Sequence, residues 1–104
     1  MIQYNISIFI EHAIDSKALS DIQHVILPQL INLAYIDQAH TFEILSHQEP
    51  DSKGYSIQCL IPNFEIHHGD EIENLISSYF QQKFPNQFVY FPSQSAVFTQ
   101  PDLA

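Results

Sequence analysis

Six histidines and twelve carboxylates are the residues in this chain that could do chemistry. Metal binding is the first chemistry they suggest. The densest group is His67-His68-Gly69-Asp70. Adjacent histidines point in different directions on a helix or strand, so only His67 with Asp70 or Glu71 shares a helical face. No second cluster has ligand spacing, and the plainer reading is a solvated helix entry. Acid–base catalysis would need a carboxylate or imidazole facing into a cavity. By strand parity Glu43 is the one mid-strand carboxylate on the face opposite the expected helices, with Glu11 at its rim. His12 and His40 fall near strand ends where water reaches. Cys59 stands on the apolar parity of a strand and reads as a buried, inert thiol. The sequence has no Gly-rich phosphate loop, no Gly-x-Ser-x-Gly elbow and no cysteine with a motif-placed histidine. No cofactor is implied.

The elements that must position these groups follow from periodicity. Ile2, Tyr4, Ile6, Ile8 and Ile10 alternate with Gln3, Asn5, Ser7 and Glu11, which is the period of a strand with one oily and one polar face; Phe9 is the single slip. Asp15 or Ser16 can cap a helix running to about Ala34, with Leu19, Ile22, Ile26, Leu30 and Leu33 at helical spacing. Pro28 should kink that helix or open a second one. A weaker strand spans 36–45, with Phe42 and Ile44 on one parity and Thr41, Glu43 and Leu45 on the other. Turn residues fill 46–54. Tyr55, Ile57, Cys59 and Ile61 then repeat the alternation against Ser56, Gln58 and Leu60. A short helical turn over 64–68 should end at Gly69. From Asp70, the residues Ile72, Leu75, Ile76, Tyr79, Phe80 and Phe84 trace one face of a second helix. A strand over 88–91 sits at a sheet edge because of Pro92, and 96–98 continues it or adds a fifth piece.

The order is β-α-β-β-α-β, an α+β ferredoxin-like arrangement with both helices on one face of an antiparallel sheet. The chain of 104 residues is expected to form one domain over 1–98, with a frayed tail at 99–104. The helix-free face then carries Gln3, Asn5, Ser7, Phe9, Ser56, Gln58 and Leu60.

Charge narrows the partners. Twelve acidic residues face three lysines and no arginine, for a net charge of −9. Nucleic acid needs clustered cations, so that class is excluded, and anionic metabolites lose the guanidinium fork that usually grips them. A neutral ligand fits better. No apolar run approaches the ~20 residues of a membrane span, and the start carries no basic, cleavable leader, so a cytoplasmic location is expected.

Three segments carry a family resemblance: the opening Met-Ile-x-Tyr-Asn strand, Val25-Ile26-Leu27-Pro28-Gln29-Leu30, and Lys83-Phe84-Pro85-Asn86-Gln87-Phe88-Val89-Tyr90-Phe91. Together they resemble a bacterial family known as domain of unknown function 4286, of the dimeric α/β-barrel superfamily. Members of that family typically carry His-Ile-Pro where this chain has Ile26-Leu27-Pro28, so no role of that histidine transfers. The resemblance implies a homodimer whose helix-free faces pack around a cavity. Two functions fit it: a binding or regulatory module without catalysis, or a cofactor-independent oxygenase or isomerase acting on a neutral, partly apolar metabolite.

Overall fold

The computed structural model describes residues 1–97, so Phe98 and the tail expected at 99–104 lie outside the described residues. Strands β1 (Ile2–Glu11), β2 (Gln38–Glu43), β3 (Ser52–Ile61) and β4 (Phe88–Ala96) form one antiparallel sheet in the order β2-β3-β1-β4. Helices α1 (Asp15–Asp21), α2 (Leu27–Ile31) and α3 (Ile66–Lys83) complete a ferredoxin-like fold. The two cleanest alternators, β1 and β3, are the central pair, because only a central strand has both neighbours to satisfy its backbone and a covered face along its length.

Tyr4, Ile6, Ile8 and Ile10 of β1 and Tyr55, Ile57, Cys59 and Ile61 of β3 are buried against Ala18, Ile22, Ile26 and Leu30 of the first helical segment and Ile72, Ile76 and Phe80 of α3. Each large side chain so buried contributes about 1.5–3 kcal/mol before ordering entropy is set against it. No helix among the described residues is long and apolar enough to cross a membrane.

The first helical segment differs from an ordinary amphipathic helix in two ways. It opens with a 3₁₀ turn (His12–Ile14), and between α1 and α2 it widens into a π-helical turn (Ile22–Ile26), where the Leu27 N–H donates to the Ile22 carbonyl five residues back. Pro28 explains the widening, since it offers no N–H and its ring crowds the preceding turn; the chain absorbs the mismatch by loosening the ladder just before it. Nor does Asp15 cap the helix. Ile14 occupies that position without a side-chain cap, while Asp15 Oδ1 accepts a 2.5 Å hydrogen bond from the Tyr55 hydroxyl. The segment closes at Ile31, three residues before the expected end.

Gly69 does not interrupt the second helix. α3 begins at Ile66 and passes through it, because a Cβ at Gly69 would stand 2.7 Å from Cε2 of Tyr4. The glycine serves close approach of helix to strand. The helix start is fixed by a reciprocal cap: the Glu65 side chain accepts from the His68 N–H, and His68 Nδ1 accepts from the Glu65 N–H at 2.9 Å. β4 extends past Phe91 to Ala96 as one edge strand, with Pro92 opposite Ile6 where its missing N–H leaves no ladder bond unmade.

Candidate functional site

Register defines the helix-free face. Gln3, Asn5, Ser7 and Phe9 of β1 stand opposite Leu60, Gln58, Ser56 and Gly54 of β3 and opposite Ser95, Ser93, Phe91 and Val89 of β4. Gln38, His40 and Phe42 of β2 complete the surface, opposite Leu60, Gln58 and Ser56. None of these positions is a carboxylate or a lysine, and His40 is the one titratable side chain among them, although the chain carries a net charge of −9. Large apolar groups are exposed on it: Phe42 at 51%, Val89 at 56% and Phe91 at 59%. Between them runs a polar strip. Gln3 Nε2 donates to Gln58 Oε1, Gln58 Nε2 donates to Ser56 Oγ at 3.1 Å, and Asn5 Oδ1 is buried with no hydrogen-bond partner among the described residues. All seven residues expected to line this face from the sequence lie on it.

Glu43 does not. It stands opposite Tyr55, on the helix side, and pairs with Lys53 at 3.4 Å. The parity of β2 is the reverse of the expected one because its inward positions are small, Ala39 and Thr41, while its bulky Phe42 faces outward. His40 therefore takes the position on the helix-free face that Glu43 was expected to hold.

The histidine cluster also departs from expectation. His67 Nδ1 lies 3.3 Å from Glu65 Oε2, and Glu65, His67 and His68, rather than Asp70, bring their ligand atoms within 4.8 Å of one another. The chemistry of the set argues against an ion. His68 Nδ1 accepts the capping N–H, which leaves its proton on Nε2, and Tyr35 stacks on its ring at 3.7 Å. The buried histidine is a helix cap, and Glu65 and His67 are its exposed neighbours. Cys59 is fully buried, and burial pushes its thiol up to about 12, far from thiolate reactivity.

Sequence reasoning missed a groove at the end of the sheet, of about 440 Å³, lined by Phe9, Glu11, His47, Ser52, Phe88 and Val89 among others. Phe9, the slip in the β1 alternation, lies across Gly54, where a Cβ would stand 2.8 Å from its Cε1. Its ring packs on His47 at 4.8 Å and meets Phe91 edge-on at 6.0 Å. His47 Nε2 and Ser52 Oγ share a 2.7 Å hydrogen bond. The signal was present in the sequence only as the Phe9 irregularity and the Gly54 facing it.

With only three lysines in the chain, three of its carboxylates are tied down by tyrosine hydroxyls instead. Tyr35 donates to Glu71 at 2.5 Å, Tyr55 to Asp15, and Tyr90 to Glu73 at 2.9 Å. Burial, then the neighbouring carboxylate, raises the hydroxyls of Tyr35 and Tyr55 well above their ordinary value of 10.0; for Tyr90 the Glu73 bond comes first and burial second. A hydroxyl whose folded pKa is raised gives stability that is whole below its unfolded pKa and is lost as pH climbs through the folded one. Urea unfolding midpoints should therefore hold steady toward pH 9 and fall above about pH 10, and Tyr55→Phe should blunt that fall. An equal alkaline decline in wild type and Tyr55→Phe would contradict this account.

Comparison with known proteins supplies family and fold. Residues 1–96 match the model of the family described as Domain of unknown function (DUF4286). No curated protein matches the chain. Among solved structures, HapK from Hahella chejuensis is similar at a TM-score of 0.66 and 12% identity, covering 100% of this chain and 99% of its own. CPII from Thiomonas intermedia K12, in a structure bound to ADP, AMP and acetate, is similar at a TM-score of 0.51 and 16% identity over 94% of this chain and 90% of its own. At such identities the likeness is one of fold.

Proposed function

The chain belongs to the DUF4286 family, and we propose that it is a small binding or regulatory module that works as a homodimer, two copies meeting through their helix-free sheet faces. The observation that carries this reading is the uncharged character of that face on a strongly acidic chain. Two copies repel over the rest of their surfaces and can approach here without like-charge contact. Exposed Phe42, Val89 and Phe91 offer apolar contact, and the unpartnered Asn5 Oδ1 seeks a donor. Four strands about 4.8 Å apart present on the order of 500 Å² in projection, and two such faces approach the roughly 1,200–2,000 Å² of stable interfaces once side-chain relief is counted.

The ligand of such a module is a small, neutral molecule held among amides and hydroxyls. CPII's nucleotides are a poor guide to it. Lys53 is paired with Glu43 and Lys83 with Asp21 at 2.7 Å, and no lysine stands on the helix-free face, so phosphate has nothing there to bind. An alternative function, a cofactor-independent oxygenase or isomerase, keeps one titratable group on the face in His40, at the register position beside Gln38 and Phe42.

Light scattering tests the reading. A chain of 12.0 kDa should sediment and scatter as roughly 24 kDa at micromolar concentration. A monodisperse monomer would remove the shared face and both functions built on it.

A further inference from the structure

We propose that the groove at the end of the sheet binds a small, uncharged aromatic molecule bearing a hydroxyl-type hydrogen-bonding group, its ring against Phe9 and Phe88 and its polar group on the His47–Ser52 pair. The groove's volume of about 440 Å³ accommodates such a molecule and lies in the usual range of small-ligand sites. Its construction is specific. Gly54 leaves room for the Phe9 ring over the sheet, and that ring in turn packs against His47 in a tilted arrangement. The turn that carries His47 is hooked back, its N–H donating to the Ile44 carbonyl at 3.1 Å while the Ile44 N–H donates to Gly54 at 2.8 Å. On the opposite wall, Asn86 has a left-handed backbone, φ 62°, that turns the chain from α3 into β4, and the Gln87 carbonyl accepts the Glu11 N–H at 3.0 Å.

The polar groups select the ligand class. The imidazole and hydroxyl of His47 and Ser52 together offer both a donor and an acceptor, so a phenolic group is met in either direction whichever ring nitrogen carries the proton. Glu11 on the rim opposes anions, in keeping with the acidic chain, and Phe9, Phe88 and Val89 supply the apolar wall. The bound molecule is thus aromatic, without negative charge, and able to exchange a hydrogen bond.

Phenol and benzoate, added separately to ¹⁵N- and ¹³C-methyl-labelled protein, test this by NMR. Phenol should displace resonances of Phe9, His47, Phe88 and Val89 saturably in the millimolar range, and benzoate should not. His47→Ala should weaken the phenol response roughly fivefold through loss of one hydrogen bond, and Ser52→Ala, which disturbs packing less, should also weaken it. Phenol shifts that stay linear or scatter over the surface, an equal response to benzoate, or affinity unchanged in both variants would overturn the site. All lining residues come from one chain, and although Phe9 and Val89 also stand at the end of the helix-free face, His47, Ser52 and Phe88 lie beyond it, so the same titration on Asn5→Arg protein should still saturate whatever its mass, which separates failure of the groove from failure of the sheet-face interface.

Discussion

Asn5→Arg is expected to convert the species of roughly 24 kDa into one of 12.0 kDa. Asn5 sits in the middle of β1 on the helix-free face, flanked in register by Gln58 and Ser93, with no carboxylate among its face neighbours to receive a guanidinium. In a lone chain the new side chain can reach past the sheet into water, so the fold should survive. In a dimer its charge is buried against an amide-lined partner face and, by symmetry, lies near its own copy. Stranding an unpaired charge in an interface costs about 3–5 kcal/mol, which corresponds to a loss of more than a hundredfold in affinity. Gln82→Arg, which adds the same charge to the exposed side of α3, should leave the mass unchanged. Sedimentation equilibrium decides it: if Asn5→Arg keeps the wild-type mass, the shared face lies elsewhere.

Phe80→Ala should cost about 3–5 kcal/mol of unfolding free energy, a large share of what a domain of this size possesses. Phe80 is the largest fully buried side chain among the described residues, and its ring lies 5.5 Å from Phe84 and 5.4 Å from Phe88, so it joins α3, the turn after it and the start of β4. Truncation leaves a cavity at a point where three elements converge and none can move in without parting from another. Chemical denaturation at neutral pH measures it, with Leu75→Ala, half-buried on the flank of the same helix, as the milder comparison. A loss below 1 kcal/mol would mean that this corner of the core collapses freely.

The legible parts of the sequence were those with a strong period. β1 and β3 bury large residues on a regular alternation, so their presence, their central place and the polar residues on their far side could be read directly, although β3 begins at Ser52, three residues inside the stretch read as a turn. β2 could not. Its sheltered residues are Ala39 and Thr41, and the bulky Phe42 is turned outward, so hydrophobicity pointed the wrong way round and carried Glu43 to the wrong face with it. The start of α3 was hidden by Gly69, whose reason is the Tyr4 ring on another element, and by a cap in which histidine takes the place usually filled by glutamate or glutamine. His47 and Ser52 lie where turn composition gives no period at all, and what brings them together with Phe9 is the long-range pairing of β1 with β3, which sets Phe9 opposite Gly54.

The loosened turn before Pro28 has a geometric effect on the whole helical layer. Ala18, Ile22, Ile26 and Leu30 recur at intervals of four, and in a regular α-helix each such step advances the row about 40° around the axis, winding it off a flat surface within three steps. The π turn lies between Ile22 and Ile26, and its wider coil rotates less per residue, so it returns part of that angle at the midpoint. The proline thus unwinds the row of contacts into a near-straight seam, and a short helical rod stays aligned with the sheet beneath it from end to end.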